Sequence, residues 1–170
     1  MTIVEKKFGA NAEHVPDRPR VRTCLGFNGN GHEAAEFYVS LLPGSFIESA
    51  FTPDEKAPPL VVEFTLAGAP YMILNAGPKF QPSLAASISV LTKDQAETDR
   101  LWAALIADGG AEGHCSWLTD KYGVSWQIVP EILPVLFSAD DKAAAGRAFQ
   151  AMTQMRKIDI ATVEAAFNNT

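Results

Sequence analysis

The chain has 170 residues, enough for one domain or for one domain built from two similar halves. Hydrophobic residues make up 47% of it and charged residues 20%, values typical of a globular protein with a well-formed core. Its formal net charge of −6 disfavours nucleic acid and acidic membrane surfaces as partners. No apolar stretch approaches the ~20 residues that a membrane-spanning helix needs.

The N-terminal segment, residues 1–19, mixes charged residues with two prolines and lacks the apolar stretch of a signal peptide. We therefore expect a loose arm and a cytoplasmic protein. The two cysteines, Cys24 and Cys115, are too few for a disulfide framework and are interpreted as half-buried thiols on strands. A redox pair, or a nucleophilic or metal-binding role, is the alternative for them.

The first half of the chain carries a strand pattern, a helix pattern and three further strand patterns. Alternating residues predict a strand over 21–27, which a glycine-rich stretch, Asn28-Gly29-Asn30-Gly31, interrupts. Apolar residues spaced by three and four predict a helix over 32–42. Strands are predicted over 45–51, 60–66 and 71–75.

The same order of patterns then repeats. A strand is predicted over 85–91, a helix over 93–108, two short strands within 111–119 and a last strand over 125–129. Overlaying the halves places Met72-Ile73-Leu74 on Trp126-Gln127-Ile128. The repeat predicts an α+β fold of two βαβββ modules.

The C-terminal segment has helical patterns with apolar faces. Ser138 to Asp141 resembles a capping box that starts one helix, and Asp159 can cap a shorter final one. The apolar faces must pack against the sheet of this subunit or against a partner. The predicted organisation is thus an arm over 1–19, the paired modules over 20–135 and a helical extension over 136–170.

Several stretches carry a family resemblance. They are Cys24–Tyr38, Val62–Pro78, Gly113–Pro130 and Met155–Ile160. Together they resemble the PhnB-like family, also labelled demethylubiquinone methyltransferase-like, of the vicinal-oxygen-chelate (glyoxalase/bleomycin-resistance) superfamily. The resemblance implies paired βαβββ modules, an open eight-stranded cup and, as is common in the superfamily, a homodimer. The glycines before the first helix depart from the G-x-G-x-x-G spacing of a nucleotide site and are interpreted as a turn.

The resemblance also implies a divalent metal held by His and Glu from the first and last strand of each module. The matching positions lie near Arg22, Ile73 (or Asn75, two residues on), Ala85 and Gln127. None of these is a histidine or a carboxylate, and one amide oxygen, from Gln127, cannot hold a divalent ion. We therefore predict no metal and no cofactor.

Polar side chains should line the cup by strand alternation. They are Arg22, Cys24, Glu63, Thr65, Asn75, Ser87, Ser89 and Gln127. Phe80 and Trp117 are candidate walls, whereas Trp126 should face the core. The predicted ligand contacts are Arg22, Glu63, Asn75, Ser87, Trp117 and Gln127.

Glu63 is the one carboxylate predicted inside the cup. Beside Arg22 it would serve as an anchor or a structural ion pair, and among apolar groups it would be a candidate general base. Three hypotheses for function remain. They are a metal-free dimer that binds a small organic molecule, a metal-dependent glyoxalase-type isomerase, transferase or oxygenase with noncanonical ligands such as Glu63, Asn75 and Gln127, and a structural or interaction protein whose cup is filled.

Overall fold

A computed structural model describes residues 18–54, 56–79 and 82–170. The first module contains β1 (Thr23–Phe27), α1 (Gly31–Leu41), β2 (Phe46–Phe51), β3 (Val61–Leu66) and β4 (Ala69–Asn75). Its strands form one sheet in the order β1-β4-β3-β2, in which β1 is parallel to β4 and the other pairs are antiparallel.

The second module repeats this topology. It contains β5 (Ser87–Thr92), α2 (Gln95–Ile106), β6 (Ala111–Glu112), β7 (Trp117–Thr119) and β8 (Ser125–Pro130). The strand order is β5-β8-β7-β6, again with the first strand parallel to the last. The predicted α+β fold of two βαβββ modules is confirmed.

Each helix covers one face of its own sheet and leaves the other face open. In the first module Val62, Phe64 and Leu66 of β3 are buried on the α1 side. In the second module Leu118 and Trp126 are buried on the α2 side, which confirms Trp126 as a core residue. The other face of each sheet carries the residues that alternate with this core along the strands. They include polar residues such as Glu63 and Gln127 and apolar ones such as Phe46 and Leu91.

The two modules meet at the buried carboxylate of Asp120, which is 3% exposed. Its Oδ2 accepts hydrogen bonds from the Tyr38 hydroxyl of α1 and from Trp126 Nε1, each at 2.8 Å. Its Oδ1 accepts from the backbone N–H groups of Tyr122 and Val124 at 2.9 and 3.0 Å. Asp120 therefore acts as a structural residue that ties the first helix to the second sheet.

The register of β4 corrects the overlay of the two halves by one residue. Met72 faces Glu63 on the neighbouring strand, just as Gln127 faces Trp117 in the second sheet. Met72, not Ile73, is thus the counterpart of Gln127, and Ile73 is fully buried on the opposite face. The error arose because residues 71–74 are all large and mainly apolar, so alternation gives no signal for which face is inside.

The tail forms three helices, α3 (Ile132–Ser138), α4 (Lys142–Thr153) and α5 (Ile160–Asn168). The helical extension therefore begins before residue 136. Asp159 caps α5 as predicted, by accepting from the N–H of Thr162. The capping-box prediction is wrong at its first residue, because Ser138 ends α3 and Asp141 itself caps α4.

The apolar faces of the tail helices pack within the subunit. They share a second core made of Leu133, Leu136, Ala148, Ile158 and Val163. The N–H groups of Cys115 and Ser116 donate to the carbonyls of Met155 and Arg156 at 2.9 Å, so the tail is joined to the second module. Among the described residues, no helix combines the length and the apolar character needed to span a bilayer.

Candidate ligand-binding site

The open face of the first sheet carries most of the predicted cup residues. Cross-strand register places Cys24, Met72 and Glu63 side by side on this face. Thr65 joins them through a hydrogen bond from its hydroxyl to Glu48 at 2.7 Å, and Arg22 contacts the same carboxylate. The predicted orientation of Arg22, Cys24, Glu63 and Thr65 is therefore confirmed.

Asn75 does not point into the cup, so this part of the prediction is wrong. Its Oδ1 accepts from the N–H groups of Gly29 and Gly31 at 3.2 and 3.0 Å, and its Nδ2 donates to the Pro59 carbonyl at 2.6 Å. A Cβ added at Gly31 would lie 2.2 Å from the Ile73 side chain. The glycine-rich stretch is a turn that closes over Asn75, as interpreted from the sequence.

Arg22 is held by two carboxylates. Its side chain is 8% exposed, and its Nη1 and Nη2 donate to the two oxygens of Glu48, the first at 2.9 Å. Its Nε lies 3.7 Å from Glu63 Oε1, and Nη1 also donates to the Tyr71 carbonyl at 3.2 Å. These contacts engage all three guanidinium nitrogens, so Arg22 organises the sheet face, and its role as a ligand contact stays a prediction.

Glu48 was missed in the sequence analysis. Strand alternation could have identified it, because Glu48 lies two residues after Phe46 and should share its face of β2. A β-bulge between Ile47 and Ser49 shifts the register at this point and obscures the pattern. The hydrogen bond from Arg22 lowers the pKa of Glu48 and outweighs the opposite effect of burial. The same hydrogen bond raises the pKa of Arg22. Both groups are therefore charged across the physiological range.

Glu63 lies among polar partners. Its Oε2 accepts from the Ser49 hydroxyl at 2.8 Å and lies 3.5 Å from Arg18 Nη2, while Oε1 faces Arg22. This arrangement is the ion-pair alternative, not the apolar setting that would make a general base. Its role as a base remains a hypothesis without a geometric argument in its favour.

The open face of the second sheet holds the other predicted contacts. Gln127 Nε2 donates to the Ser87 hydroxyl at 2.7 Å, and Trp117 faces Gln127 across the β7–β8 ladder. Trp117 lines a hollow of about 190 Å³ together with Leu84. Phe80, the other predicted wall, lies outside the described residues.

A larger cavity of about 400 Å³ lies where β1 and β5 approach each other. These strands are edge strands of their own sheets, so the cavity separates the two sheets. We call it the seam cavity. Its apolar lining includes Leu25, Phe27, Ile88 and Val124, and its polar lining includes Cys24, Tyr71, Lys79, Ser83 and Ser87. Of the predicted contacts only Ser87 lines it, and Gln127 reaches it indirectly through its bond to Ser87.

The described lining of the seam cavity carries a positive charge and no negative one. No described residue of its lining is Asp, Glu or His, whereas Lys79 contributes a cation. Burial raises the pKa of both the Cys24 thiol and the Tyr71 hydroxyl, so both stay protonated at neutral pH. The lining therefore presents hydrogen-bond donors and a positive charge, which suits a small molecule with an acceptor or anionic group.

The residues present do not fit a divalent metal. Among the described residues, no three side chains of His, Cys, Asp or Glu lie close enough to share an ion. Asn75 faces away, and the Gln127 amide nitrogen is turned toward Ser87, so the set Glu63, Asn75 and Gln127 does not converge. Glu48 and Glu63, the carboxylates on the open face of the first sheet, are already engaged in ion pairs, Glu48 with Arg22 and Glu63 with Arg22 and Arg18.

Comparison with known proteins agrees with this architecture, which is that of the vicinal-oxygen-chelate fold. The chain belongs to the PhnB-like family, because residues 19–129 match the family model described as 3-demethylubiquinone-9 3-methyltransferase. The resemblance found in the sequence is thereby confirmed. Comparison with curated proteins gives no match.

Solved structures show the same relationship. A PhnB protein from Bacillus cereus, provisionally described as a 3-demethylubiquinone-9 3-methyltransferase, is 32% identical, with a TM-score of 0.61 over 66% of this chain and 99% of that chain. Protein PA1353 from Pseudomonas aeruginosa is 23% identical, with a TM-score of 0.55 over 67% and 98%. The fosfomycin resistance protein FosX from Mesorhizobium loti is 10% identical, with a TM-score of 0.52 over 72% and 98%, and shows the fold alone.

Proposed function

We propose that this protein binds a small organic molecule, and specifically one with an anionic or acceptor group, in the seam cavity without a divalent metal. The observation that supports this is the cavity itself, whose lining combines apolar walls with Lys79 and hydroxyl donors. A volume of about 400 Å³ lies within the range of small-molecule sites. A cavity of this volume also argues against the hypothesis of a structural protein whose cup is filled by side chains. Free thiols at Cys24 and Cys115 suit the cytoplasm, where we propose that the protein acts.

Binding of benzoate provides the direct test. We expect the wild-type protein to bind benzoate, and Lys79→Gln to weaken binding about 5- to 30-fold, as expected for loss of a charge-assisted contact. Ala86→Phe should abolish binding by filling the cavity. Isothermal titration measures both effects. Excess EDTA in the titration should leave the affinity unchanged, since no metal takes part.

Lys56→Gln is the matched control for the loss of one positive charge, because Lys56 is exposed in the loop before β3. It should bind benzoate within about 2-fold of wild type, as expected for a surface substitution. Equal weakening in both lysine variants would mean that only net charge matters. A loss of binding in EDTA, together with about one tightly held metal per chain by elemental analysis, would replace this proposal with the metal-dependent enzyme.

We also propose that a second copy of the chain covers the open sheet faces, as a homodimer. Large apolar side chains are exposed there, with Phe46 at 55%, Phe51 at 59% and Leu91 at 62%. Their register partners place all three on the faces opposite the helices. Exposed apolar area of this kind on a sheet face marks an interaction surface.

The double variant Phe46→Arg and Phe51→Arg should therefore convert a dimer to a monomer. Light scattering after gel filtration measures the mass of each form. Phe149→Arg is the control, because Phe149 is similarly exposed, at 52%, but lies on the tail helix α4. A wild-type protein that is monomeric at all concentrations would refute the dimer and leave the cavity proposal standing.

A further inference from the structure

A second cavity borders the seam cavity. It has a volume of about 430 Å³ and lies between the β3–β4 turn and β5. Its lining includes Leu42, Pro43, Leu66, Val90 and Leu91. Tyr71 and Ile88 line this cavity and also line the seam cavity. Among the described residues, the two spaces therefore share one aromatic and one aliphatic residue, and these lie at the wall between them.

We propose that Tyr71 is the partition that limits the size of the ligand and that its hydroxyl contacts the ligand. This inference rests on the proposed function, since it assigns a specificity-determining residue to the same site. With Tyr71 in place, a ligand is confined to the seam cavity. Without its ring, the two spaces join and admit a ligand about one aromatic ring longer.

The Tyr71 ring is held in place by its surroundings. It stacks on Phe64 with ring centroids 5.4 Å apart and an interplanar angle of 21°. Phe64 is fully buried and faces Tyr71 across the β3–β4 ladder. The Tyr71 carbonyl also accepts from Arg22 Nη1, which fixes the backbone on the other side of the sheet. Rotation of this ring out of the wall would disrupt its packing on Phe64 and would cost free energy. The ring can therefore exclude a ligand that is too long for the seam cavity.

The Tyr71 hydroxyl is the polar group of this wall. No hydrogen bond from this hydroxyl to another described residue is present, whereas Tyr38 and Tyr122 both donate to carboxylates. The Tyr71 hydroxyl is not among the buried side-chain atoms that lack a partner, so it is open to the cavity and accessible to an acceptor there. An acceptor on a bound small molecule would replace water at this hydroxyl, and Lys79 of the same lining favours an anionic one.

Two probes of different length separate these roles. Benzoate and biphenyl-4-carboxylate share a carboxylate and differ by one aromatic ring. We expect the wild-type protein to prefer benzoate by about 10-fold or more, because the longer probe meets the Tyr71 ring. In Tyr71→Ala this preference should be lost or reversed. Tyr71→Phe keeps the ring, so it should keep the preference but bind both probes about 3- to 10-fold more weakly, as expected for one lost hydrogen bond.

Ile88→Ala opens the same wall from the other side and should shift the preference in the same direction, which tests the partition if Tyr71→Ala does not fold. Phe149→Ala is the control for an aromatic truncation on α4, away from both cavities, and should keep the wild-type preference. An unchanged preference in both Tyr71→Ala and Ile88→Ala, with benzoate still sensitive to Lys79→Gln, would overturn the partition alone. Binding of neither probe to the wild-type protein would overturn the proposed function itself.

Discussion

Replacement of Asp120 by alanine is expected to destabilise the protein by about 3–5 kcal/mol, at the upper end for a single substitution, because one buried charged group and four hydrogen bonds are lost together. The change leaves four donors without their acceptor, namely Tyr38, Trp126 and the backbone N–H groups of Tyr122 and Val124. It also removes the buried hydrogen bond between α1 and the second module, while the packing of the Tyr38 ring on Trp126 remains. Urea unfolding followed by tryptophan fluorescence measures the free energy of unfolding.

Asp120→Asn should cost less, about 1–3 kcal/mol, because the amide keeps one acceptor while its NH₂ group faces donors. Asp140→Ala is the control, since Asp140 is exposed before α4 and should change stability by no more than about 0.5 kcal/mol. If Asp120→Ala unfolds at the wild-type urea concentration, the buried network has no role in stability. Separate transitions for the two modules in the variant would further support Asp120 as the link between them.

Replacement of Arg22 by methionine is expected to cost about 2–4 kcal/mol at pH 7, somewhat below the range for a fully buried ion pair. The side chains of Glu48 and Glu63 are 19% and 21% exposed, so water screens part of the penalty. Two carboxylates would nevertheless face each other without their shared cation. Arg18→Met is the control, because Arg18 is 57% exposed and should contribute no more than about 1 kcal/mol.

The pH dependence gives an independent test of the Arg22 cluster. The pKa of Glu48 is lowered in the folded protein, so its contribution to stability is present above its unfolded pKa and is lost as pH falls through the folded value. The wild type should therefore lose stability below about pH 4, near the ordinary carboxylate range. The difference between wild type and Arg22→Met should shrink in the same interval. A difference that stays constant from pH 7 to pH 3 would contradict the ion-pair assignment.

Local patterns were sufficient to predict the architecture. Alternation and helical spacing placed all the main strands and both module helices to within a few residues, because each element buries one face against its own module. Capping chemistry at Asp159 depends on nearby residues only and was predicted correctly. The core position of Trp126 followed from the same alternation.

The errors arose where the hydrophobic pattern does not show which face of a strand each residue occupies. In β4 the residues from 71 to 74 are all large and mainly apolar, so the register with β3 decided that Met72 faces the cup. Asn75 follows this run, and its amide is used by the turn before α1. The bulge in β2 likewise placed Glu48 beside Arg22, a contact between residues 26 positions apart. The register of β4, the contacts of Asn75 and the pairing of Glu48 with Arg22 are all set by contacts between segments that are distant in the sequence.

The sequence by itself determined the paired βαβββ modules, the family and the absence of His and carboxylate residues at the expected metal positions. Only the tertiary structure decided where the cavities lie. The seam cavity exists because two edge strands from different modules meet without pairing, and Tyr71 and Ile88, from separate sheets, lie where it borders the second cavity. Periodicity reports which face of an element is buried, but it carries no information about the distance between two elements that are far apart in the chain.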